Sequence, residues 1–242
     1  MSDILEDASC PIGQETAAGP SISSPPVPEY MREIYDWAYI NPRLVPLLDR
    51  QIVVQTILWG NANRLVNTAV EEFSPGQNLL QPAHVYGRLC AQLAERVGPE
   101  GHLEVRDVTP IQVARARTKL AGHANATVVH ADASRPFGRQ HDGVCCFFLL
   151  HEVPDDYKHR IVDNVLAAVK PGGKVVFVDY HRWHRFHPMG PIMWFVFRYL
   201  EPLAPSLCAS EIRNFASAPD SFTWTKRTFF GGLYQKVVAV RK

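Results

Sequence analysis

The chain of 242 residues is long enough for one α/β domain with a sizeable core and additional segments. Its apolar fraction of 46% and charged fraction of 20% are ordinary for a globular protein. A formal net charge of +1 gives no basis for nucleic-acid binding, so we expect no nucleic-acid partner.

The first 73 residues divide into two regions. Residues 1–28 are rich in Ser, Pro, Gly and acidic side chains and contain no Lys or Arg, which predicts a disordered acidic tail. Residues 29–73 carry apolar and aromatic side chains at helical spacing, which predicts an N-terminal helical cap. The turn at Ser74, Pro75 and Gly76 then opens a domain that we place over residues 74–242.

Strand and helix patterns alternate from residue 78 onward. Short apolar segments predict strands, and longer segments with helical spacing follow them along the chain. The predicted strands span 78–81, 102–107, 126–130, 143–150 and 174–180. The predicted helices span 88–97, 111–120, 156–169 and 189–203. This alternation predicts an α/β fold with a doubly wound, mostly parallel sheet.

The last two strand patterns differ from the others. Segments 222–229 and 234–240 are separated by only four residues, so they predict an antiparallel hairpin. Added to the five earlier strands, the hairpin completes a seven-stranded sheet. An α/β sheet that ends in this way points to the methyltransferase variant of the Rossmann fold.

Acidic residues follow two of the predicted strands at the edge where open α/β sheets bind ligands. Asp107 ends the second strand and precedes Val108, so its carboxylate could accept hydrogen bonds from a ribose diol. Asp132 follows the third strand and precedes Ala133, where a carboxylate could accept from an adenine amino group. Each acid could instead cap a turn or a helix. Together, at matching strand ends, they favour a nucleoside cofactor, and we assign Asp107, Val108, Asp132 and Ala133 to its site.

The loop after the first strand reads Gln81-Pro82-Ala83-His84-Val85-Tyr86-Gly87. It resembles the first motif of class I S-adenosylmethionine-dependent methyltransferases, which is an acidic residue followed by three alternating glycines. Gln81 stands where that motif has the acid, Ala83 and Val85 replace two glycines, and Gly87 keeps the third. We assign Gln81, Ala83, Tyr86 and Gly87 to the cofactor site.

Further segments carry the same resemblance. The run from Phe148 to Asp155 is similar to the exit of the fourth strand in quinone and small-molecule methyltransferases, and we add the preceding Phe147 to the cofactor site. Residues 169–174 are similar to the turn before the fifth strand of those enzymes, and Asp142 to the start of their fourth. The resemblance implies S-adenosylmethionine as cofactor.

A narrower resemblance extends over nearly all of the chain after the tail. Segments 57–61, 145–154, 178–181 and 229–236 resemble the RquA family of rhodoquinone biosynthesis proteins. That family is implicated in converting ubiquinone to rhodoquinone by replacing a ring methoxy group with an amino group. The resemblance implies that S-adenosylmethionine supplies the nitrogen and that a manganese ion (Mn2+) assists.

Candidate catalytic groups follow the fourth and fifth predicted strands. A protonated histidine or a Lewis-acid metal would polarise a quinone carbonyl, and His151, Tyr180 and His181 are the candidates. Asp179 and His181 are of the types that bind manganese, but their spacing is no recognised metal signature, so ligation rests on the resemblance. His151 could instead be a capping or packing histidine. His181, His184 and His187 could form a basic rim with the neighbouring arginines.

The altered loop suggests a hypothesis for the chemistry. An amine attacks a quinone only as the free base, and a neighbouring carboxylate would favour its ammonium form. Gln81 removes that carboxylate, while Ala83 and Val85 add bulk beside the methionine portion of the cofactor. We therefore expect the loop to present the amino group rather than the methyl group to the substrate. Neutral variation in a loop that still binds normally is the alternative.

Location and partners follow from the remaining features. Five cysteines without zinc-site spacing, no secretory signal and no apolar run of about 18 residues favour a cytoplasmic protein. An isoprenoid quinone substrate implies peripheral contact with the bacterial inner membrane, for which the apolar segment 192–200 is a candidate. That segment could equally be an ordinary helix that covers the core.

Two other functions stay open at this point. The chain could be a conventional S-adenosylmethionine-dependent quinone or phenol methyltransferase. It could also be a non-catalytic methyltransferase-like accessory protein that has lost its cofactor.

Overall fold

Seven strands form one sheet in the order β3-β2-β1-β4-β5-β7-β6 in the computed structural model, which describes residues 25–242. The strands are β1 (Asn78–Gln81), β2 (His102–Asp107), β3 (Ala126–His130), β4 (His141–Phe147), β5 (Val169–Tyr180), β6 (Phe222–Phe229) and β7 (Tyr234–Arg241). Strands β1 to β5 pair in parallel, and β7 runs antiparallel to both β5 and β6. The predicted α/β fold with a terminal hairpin is confirmed.

Helices cover both faces of the sheet. They are α1 (Glu29–Glu33), α2 (Val45–Leu48), α3 (Gln51–Ile57), α4 (Ala62–Val70), α5 (Leu89–Val97), α6 (Pro110–Leu120), α7 (Asp155–Ala167), α8 (Gly190–Tyr199) and α9 (Ala204–Cys208). A π-helix spans Asp36–Ile40, and 3-10 helices span Leu150–Glu152, Ile212–Phe215 and Pro219–Ser221. Strand β4 shows the layering, because Val144 and Cys146 pack on one face of the sheet while Cys145 and Phe147 pack on the other. Both of its faces are buried, as expected of a central strand.

Two predicted elements end earlier than their apolar patterns suggest. Strand β4 stops at Phe147, not residue 150, because Phe148 takes a left-handed backbone conformation with φ of 47°. The helix predicted over 189–203 ends at Tyr199, since Pro202 disfavours helical geometry at the residue before it. A separate short helix, α9, follows from Ala204.

The N-terminal helices are fastened to the carboxyl end of the sheet by buried polar contacts. Asp49 pairs with Arg115 at 2.6 Å and with Lys119 at 2.5 Å, and its carboxylate also accepts a hydrogen bond from the Gly87 amide at 3.0 Å. The Tyr86 hydroxyl donates to a backbone carbonyl of the π-helix. The segment from the π-helix to Asp49 therefore lies over the loop that follows β1. Most of the predicted tail, residues 1–24, lies outside the described residues.

Candidate active site

The backbone reverses sharply where β4 ends. Phe148 has positive φ, which a bulky residue adopts only at a cost of about 1 to 3 kcal/mol, and such positions cluster at functional sites. The 3-10 helix Leu150–Glu152 follows at once and turns His151 and Glu152 into the protein. The ring of Phe148 packs edge-on against His151 with centroids 5.7 Å apart, which holds the imidazole in place.

His151 forms a buried ion pair with the end of the neighbouring strand. Its Nδ1 lies 2.8 Å from Oδ1 of Asp179, and both side chains are almost fully buried. Asp179 is fixed in turn by the backbone amides of Leu150 and Tyr180, which donate to its carboxylate at 2.9 and 2.7 Å. The carboxylate thus orients the imidazole and directs the other ring nitrogen, Nε2, away from the sheet.

Two further carboxyl groups face that second nitrogen. Nε2 of His151 lies 3.5 Å from Oε1 of Glu152 and 3.8 Å from Oε2 of Glu201. Glu201 sits just beyond α8, where the helix has ended, and its Oε2 is buried without a hydrogen-bond partner among residues 25–242. The hydroxyl of Tyr39, from the π-helix, donates to Oε1 of Glu152.

Burial and mutual charge determine the protonation of this cluster. Burial alone would lower the pKa of His151, but Asp179, Glu201 and Glu152 outweigh it and raise that pKa to about 9. Burial raises the pKa of Glu152 to about 8, and burial likewise raises the pKa of Glu201. At neutral pH the site therefore favours an imidazolium paired with Asp179, and burial favours the neutral form of Glu152.

Two cavities adjoin at this point. The first, of about 50 Å³, lies at the ends of β1, β2 and β3. The second, of about 130 Å³, is mainly apolar and is lined by His151, Glu152 and Glu201 together with side chains of the N-terminal helices. Four residues line both cavities: Tyr39, Val85, Phe148 and Glu152. A group could pass between molecules bound in the two cavities only across this shared wall.

Five residues assigned to the cofactor from the sequence line the first cavity: Ala83, Asp107, Val108, Asp132 and Ala133. Asp107 accepts hydrogen bonds from the backbone amides of His84 and Thr109 at 3.0 and 2.8 Å, and burial raises its pKa to about 6. Asp132 accepts from the Ser134 amide at 2.8 Å with one oxygen, which leaves the other for a ligand. The carboxylates predicted at the strand ends therefore do converge.

The rewritten loop folds on itself. Gln81 is fully buried, its Nε2 donates to the Ala83 carbonyl at 2.8 Å, and it lines neither cavity. Gly87 also lines neither cavity, and its amide donates to the Asp49 carboxylate. Tyr86 and Phe147 line the second cavity rather than the first. The loop residues assigned to the cofactor are thus divided among the two cavities and the scaffold.

The first cavity is lined by His84, one of whose ring nitrogens has no hydrogen-bond partner in the described part of the chain. Nδ1 of His84 lies 3.0 Å from the Gln112 side chain, while its Nε2 is buried and has no hydrogen-bond partner in the described part of the chain. Burial lowers the pKa of His84 to about 4, so the imidazole is neutral at physiological pH. This orphaned nitrogen and the Asp107 and Asp132 carboxylates have the chemistry to hold a nucleoside cofactor.

The N-terminal helices close the first cavity from above. Tyr30, Met31 and Tyr39 line it, and its volume of about 50 Å³ is small beside the several hundred Å³ of ordinary ligand pockets. The donors and acceptors fit S-adenosylmethionine, whereas the space requires these three side chains to shift when it enters.

The two residues assigned to manganese do not meet. Asp179 faces His151, whereas the ring nitrogens of His181 lie 2.9 Å from the Gly232 carbonyl and 2.9 Å from Nζ of Lys226. No group of three His, Cys, Asp or Glu side chains within residues 25–242 is arranged to hold a metal ion. This arrangement does not support a manganese site at Asp179 and His181.

The three catalytic candidates have different surroundings. His151 and Tyr180 line the second cavity, with ring centroids 4.8 Å apart, whereas His181 lines neither cavity. Sequence reasoning missed Tyr39 and Glu201, which lie more than 100 and about 50 residues from His151 in the chain. No local motif marks either residue, and Pro202 was the only signal that the helix ends beside Glu201.

Comparisons with known proteins agree with this geometry. Residues 82–173 match a family described as Methyltransferase domain. The chain is 31% identical over 112 residues to the ubiquinone/menaquinone biosynthesis C-methyltransferase UbiE of Idiomarina loihiensis, which covers 44% of each chain. It is 30% identical over 108 residues to a demethylmenaquinone methyltransferase of Listeria welshimeri, which covers 43% of this chain and 45% of that one. The chain spans less than half the length of these curated relatives.

Solved structures share the fold. An O-methyltransferase family protein from Burkholderia thailandensis matches with a TM-score of 0.61 at 14% identity, over 78% of this chain and 59% of that one. A SAM dependent methyltransferase from Aquifex aeolicus matches with a TM-score of 0.56 at 17% identity, over 84% and 99%. The fold is therefore that of the Rossmann-like methyltransferases, and the matched segment supports the class I S-adenosylmethionine-dependent superfamily.

Proposed function

We propose that this chain is an S-adenosylmethionine-dependent enzyme that modifies a quinone ring, and that it replaces a methoxy group of ubiquinone with an amino group to give rhodoquinone. The observation that carries the proposal is the buried pair of His151 and Asp179 at the wall of an apolar cavity that adjoins the cavity suited to the cofactor. The quinone methyltransferase relatives support a quinone as the substrate class.

The proposed reaction is an addition followed by an elimination. When bound, S-adenosylmethionine supplies the amine as a free base. The nitrogen lone pair would form a bond to the ring carbon that carries the methoxy group, while a carbonyl electron pair moves onto oxygen. Return of that pair would expel methoxide, which takes a proton and leaves as methanol. Removal of a proton from the donor's β-carbon would then break the bond between nitrogen and the α-carbon: nitrogen keeps the electron pair, takes a proton and stays on the ring, and the donor leaves with a double bond between its α- and β-carbons.

His151 can polarise the quinone. Its Nε2 carries a proton at neutral pH and faces the second cavity, so it can donate to the carbonyl oxygen on which charge develops. Asp179 keeps that proton available, because it stabilises the charged ring from the opposite side at 2.8 Å. This is electrophilic activation, and it requires the imidazolium form.

Glu152 is suited to move a proton between the two cavities. It lines both of them, and a carboxyl group with pKa near 8 exchanges protons readily at physiological pH. It can take a proton from the incoming ammonium and return it to the departing methoxide. Tyr39, which donates to Glu152, holds the carboxyl at the shared wall.

The loop after β1 is the proposed reason why nitrogen rather than methyl faces the quinone. Val85 lines both cavities at a position where the resembling motif has glycine, so its side chain occupies space beside the donor. Gln81 lines neither cavity and places a neutral amide, which donates to the Ala83 carbonyl, where the resembling motif has a carboxylate. We expect Gln81→Glu with Val85→Gly to reduce amine transfer, and unchanged rhodoquinone formation would count against this role.

Conventional methylation is the second candidate, and the pair of His151 and Asp179 is also compatible with it. An imidazole held by a carboxylate is also a general base for a ring hydroxyl, and the relatives named above are methyltransferases. That reaction needs neutral His151, so its rate would rise with pH where amine transfer would fall.

Isotope labelling distinguishes these functions. Purified protein is incubated with ubiquinone and S-adenosylmethionine labelled either at the methyl carbon or at the amino nitrogen, and the product mass is measured. Nitrogen label in the ring supports amine transfer, whereas methyl label in the product replaces it with conventional methylation. Absence of product together with absence of cofactor binding by calorimetry would indicate the non-catalytic alternative.

The matched variants are His151→Gln and His159→Gln. His159 lies on the exposed side of α7, where its Nδ1 is 3.0 Å from the Phe215 carbonyl, far from both cavities. We expect product formation to be lost in the first variant and retained in the second. Equal activity in both would remove His151 from the reaction.

A further inference from the structure

Helix α8 carries apolar side chains on its outward face, where a solvated helix normally carries polar ones. Met193 and Phe197 point inward and are buried, as one turn of an amphipathic helix should be. The opposite face, which is normally polar, carries Trp194 at 62% exposure, Phe195 at 54% and Tyr199 at 62%. A helix whose outward face is mostly apolar indicates a surface that is covered by another apolar phase.

The N-terminal helices carry a second apolar surface. Leu47, Ile52 and Ile57 are exposed, and Ile52 is the most exposed large apolar residue described, at 74%. Ile57 and the partly exposed Trp37 also line the second cavity, so this surface continues directly into the proposed quinone site. An apolar molecule could therefore pass from the surface to His151 without crossing a polar rim.

Unpaired positive charge accompanies the exposed aromatic residues. Segment 181–200 contains no Asp or Glu, and Arg182, Arg185 and Arg198 line an open groove of about 980 Å³ together with Trp194. None of these arginines pairs with a carboxylate of residues 25–242. Arg185 lies instead over the ring of Phe186, which is itself exposed, with 4.3 Å from Cζ to the ring centroid. The groove thus offers three free guanidinium groups to an anion.

We propose that these features form one docking face for an anionic lipid bilayer. The docking face comprises the outward side of α8, the groove arginines Arg182, Arg185 and Arg198, and the exposed apolar residues of α2 and α3. Aromatic side chains beside arginines suit the boundary between acyl chains and phosphate headgroups, where each side-chain type meets its preferred surroundings.

The positive charge of the docking face favours an anionic lipid surface over a neutral apolar partner. The N-terminal surface adds the exposed Arg43 and Arg50 around Leu47 and Ile52, and the only acid between residues 37 and 70 is Asp49, which is buried and paired. No helix in the described range is long and apolar enough to span a bilayer, so docking would be peripheral. The docking face rests on the proposed function, because the isoprenoid tail of ubiquinone is held in a bilayer.

Vesicle co-sedimentation tests the docking face without substrate or cofactor. We expect the protein to bind phosphatidylcholine vesicles that contain phosphatidylglycerol, and to bind pure phosphatidylcholine much more weakly. Arg182→Gln and Arg185→Gln should each weaken binding to the anionic vesicles about fivefold. Trp194→Ser should weaken binding about tenfold, because an apolar ring leaves the interface. Matched controls on the far edge of the sheet, Arg117→Gln and Val129→Ser, should leave binding unchanged.

Several results would overturn the docking face. Absence of vesicle binding by the wild-type protein would do so, as would equal losses in the control variants. A dimer that dissociates in Trp194→Ser, without vesicle binding, would make this face a contact between two copies of the chain.

Turnover separates this proposal from the proposed function. A short-chain, water-soluble ubiquinone analogue should be converted equally by the wild-type protein and Trp194→Ser, whereas ubiquinone in anionic vesicles should be converted about tenfold more slowly by the variant. If the soluble analogue is converted but vesicles are not bound, the docking face fails and the function stands. If vesicles are bound but neither quinone is aminated, the function fails and the docking face stands.

Discussion

Replacing Asp179 with Asn gives the sharpest test of the imidazolium at the active site. Three carboxylates offset burial and raise the pKa of His151 to about 9, and Asp179 contributes most among them. At about pH 7.5, a group with that pKa is almost fully protonated. Without the Asp179 charge, burial should lower the pKa of His151 toward the ordinary value of 6.5, at which about a tenth of the protein carries the imidazolium.

Amine transfer in Asp179→Asn should therefore fall by up to about tenfold at that pH. The measurement is kcat/KM for ubiquinone as a function of pH. In the wild-type protein the rate should decline as pH rises through about 9, and in the variant the decline should move to lower pH, toward about 6.5. Asn keeps one oxygen for the amides of Leu150 and Tyr180, so the fold should survive with a loss of about 1 to 3 kcal/mol.

A matched buried histidine serves as the control. Burial lowers the pKa of His141 to about 4, so it stays neutral across this range, and it starts β4 at the opposite end from the cavities. His141→Gln should leave the pH profile unchanged. The reasoning is refuted if the decline in Asp179→Asn stays near pH 9, or if the rate of the wild-type protein does not decline as pH rises through about 9.

Three other changes test the surroundings of the site. The free energy of unfolding should fall as pH rises from about 5 to 9, because folded His151 and Glu152 hold protons that the unfolded chain releases near 6.5 and 4.5. In denaturant titrations, Glu152→Gln should make this decline less steep. A steep decline that persists in Glu152→Gln would contradict this assignment. Asp107→Asn should weaken S-adenosylmethionine binding about 10- to 100-fold by calorimetry, and unchanged affinity would remove Asp107 from the cofactor site. Tyr39→Phe should lose about 1 kcal/mol of stability with its hydrogen bond to Glu152, and a retained melting temperature would show that this bond is weak.

The strand ends illustrate how much of the site can be read from sequence. Asp107 and Asp132 were assigned to one ligand because the carboxyl ends of parallel strands share an edge of the sheet, and both line the first cavity. The same argument placed His151 and Asp179 after neighbouring strands. It did not predict that they pair, because the imidazole reaches Asp179 only after the reversal at Phe148.

His181 shows where that argument stops. It follows β5 at the same edge as Asp179, yet its ring is held by Gly232 and Lys226, which belong to the terminal hairpin and its connection. Position along a strand determines the edge that a residue reaches. The neighbouring elements determine where its side chain points from there.

The sequence alone located the strands and helices along the chain, because hydrophobic periodicity and turn residues are local signals, and their alternation predicted a mostly parallel sheet with a terminal hairpin. It also located the rewritten loop at residues 81–87, although not the division of that loop between two cavities. Only the tertiary structure decided that His151 carries a proton, since that state depends on Asp179, Glu152 and Glu201 meeting in a buried place. Electrostatic interactions of this kind depend on distance and burial, and residues 28 and 50 positions apart acquire both only when the chain has folded.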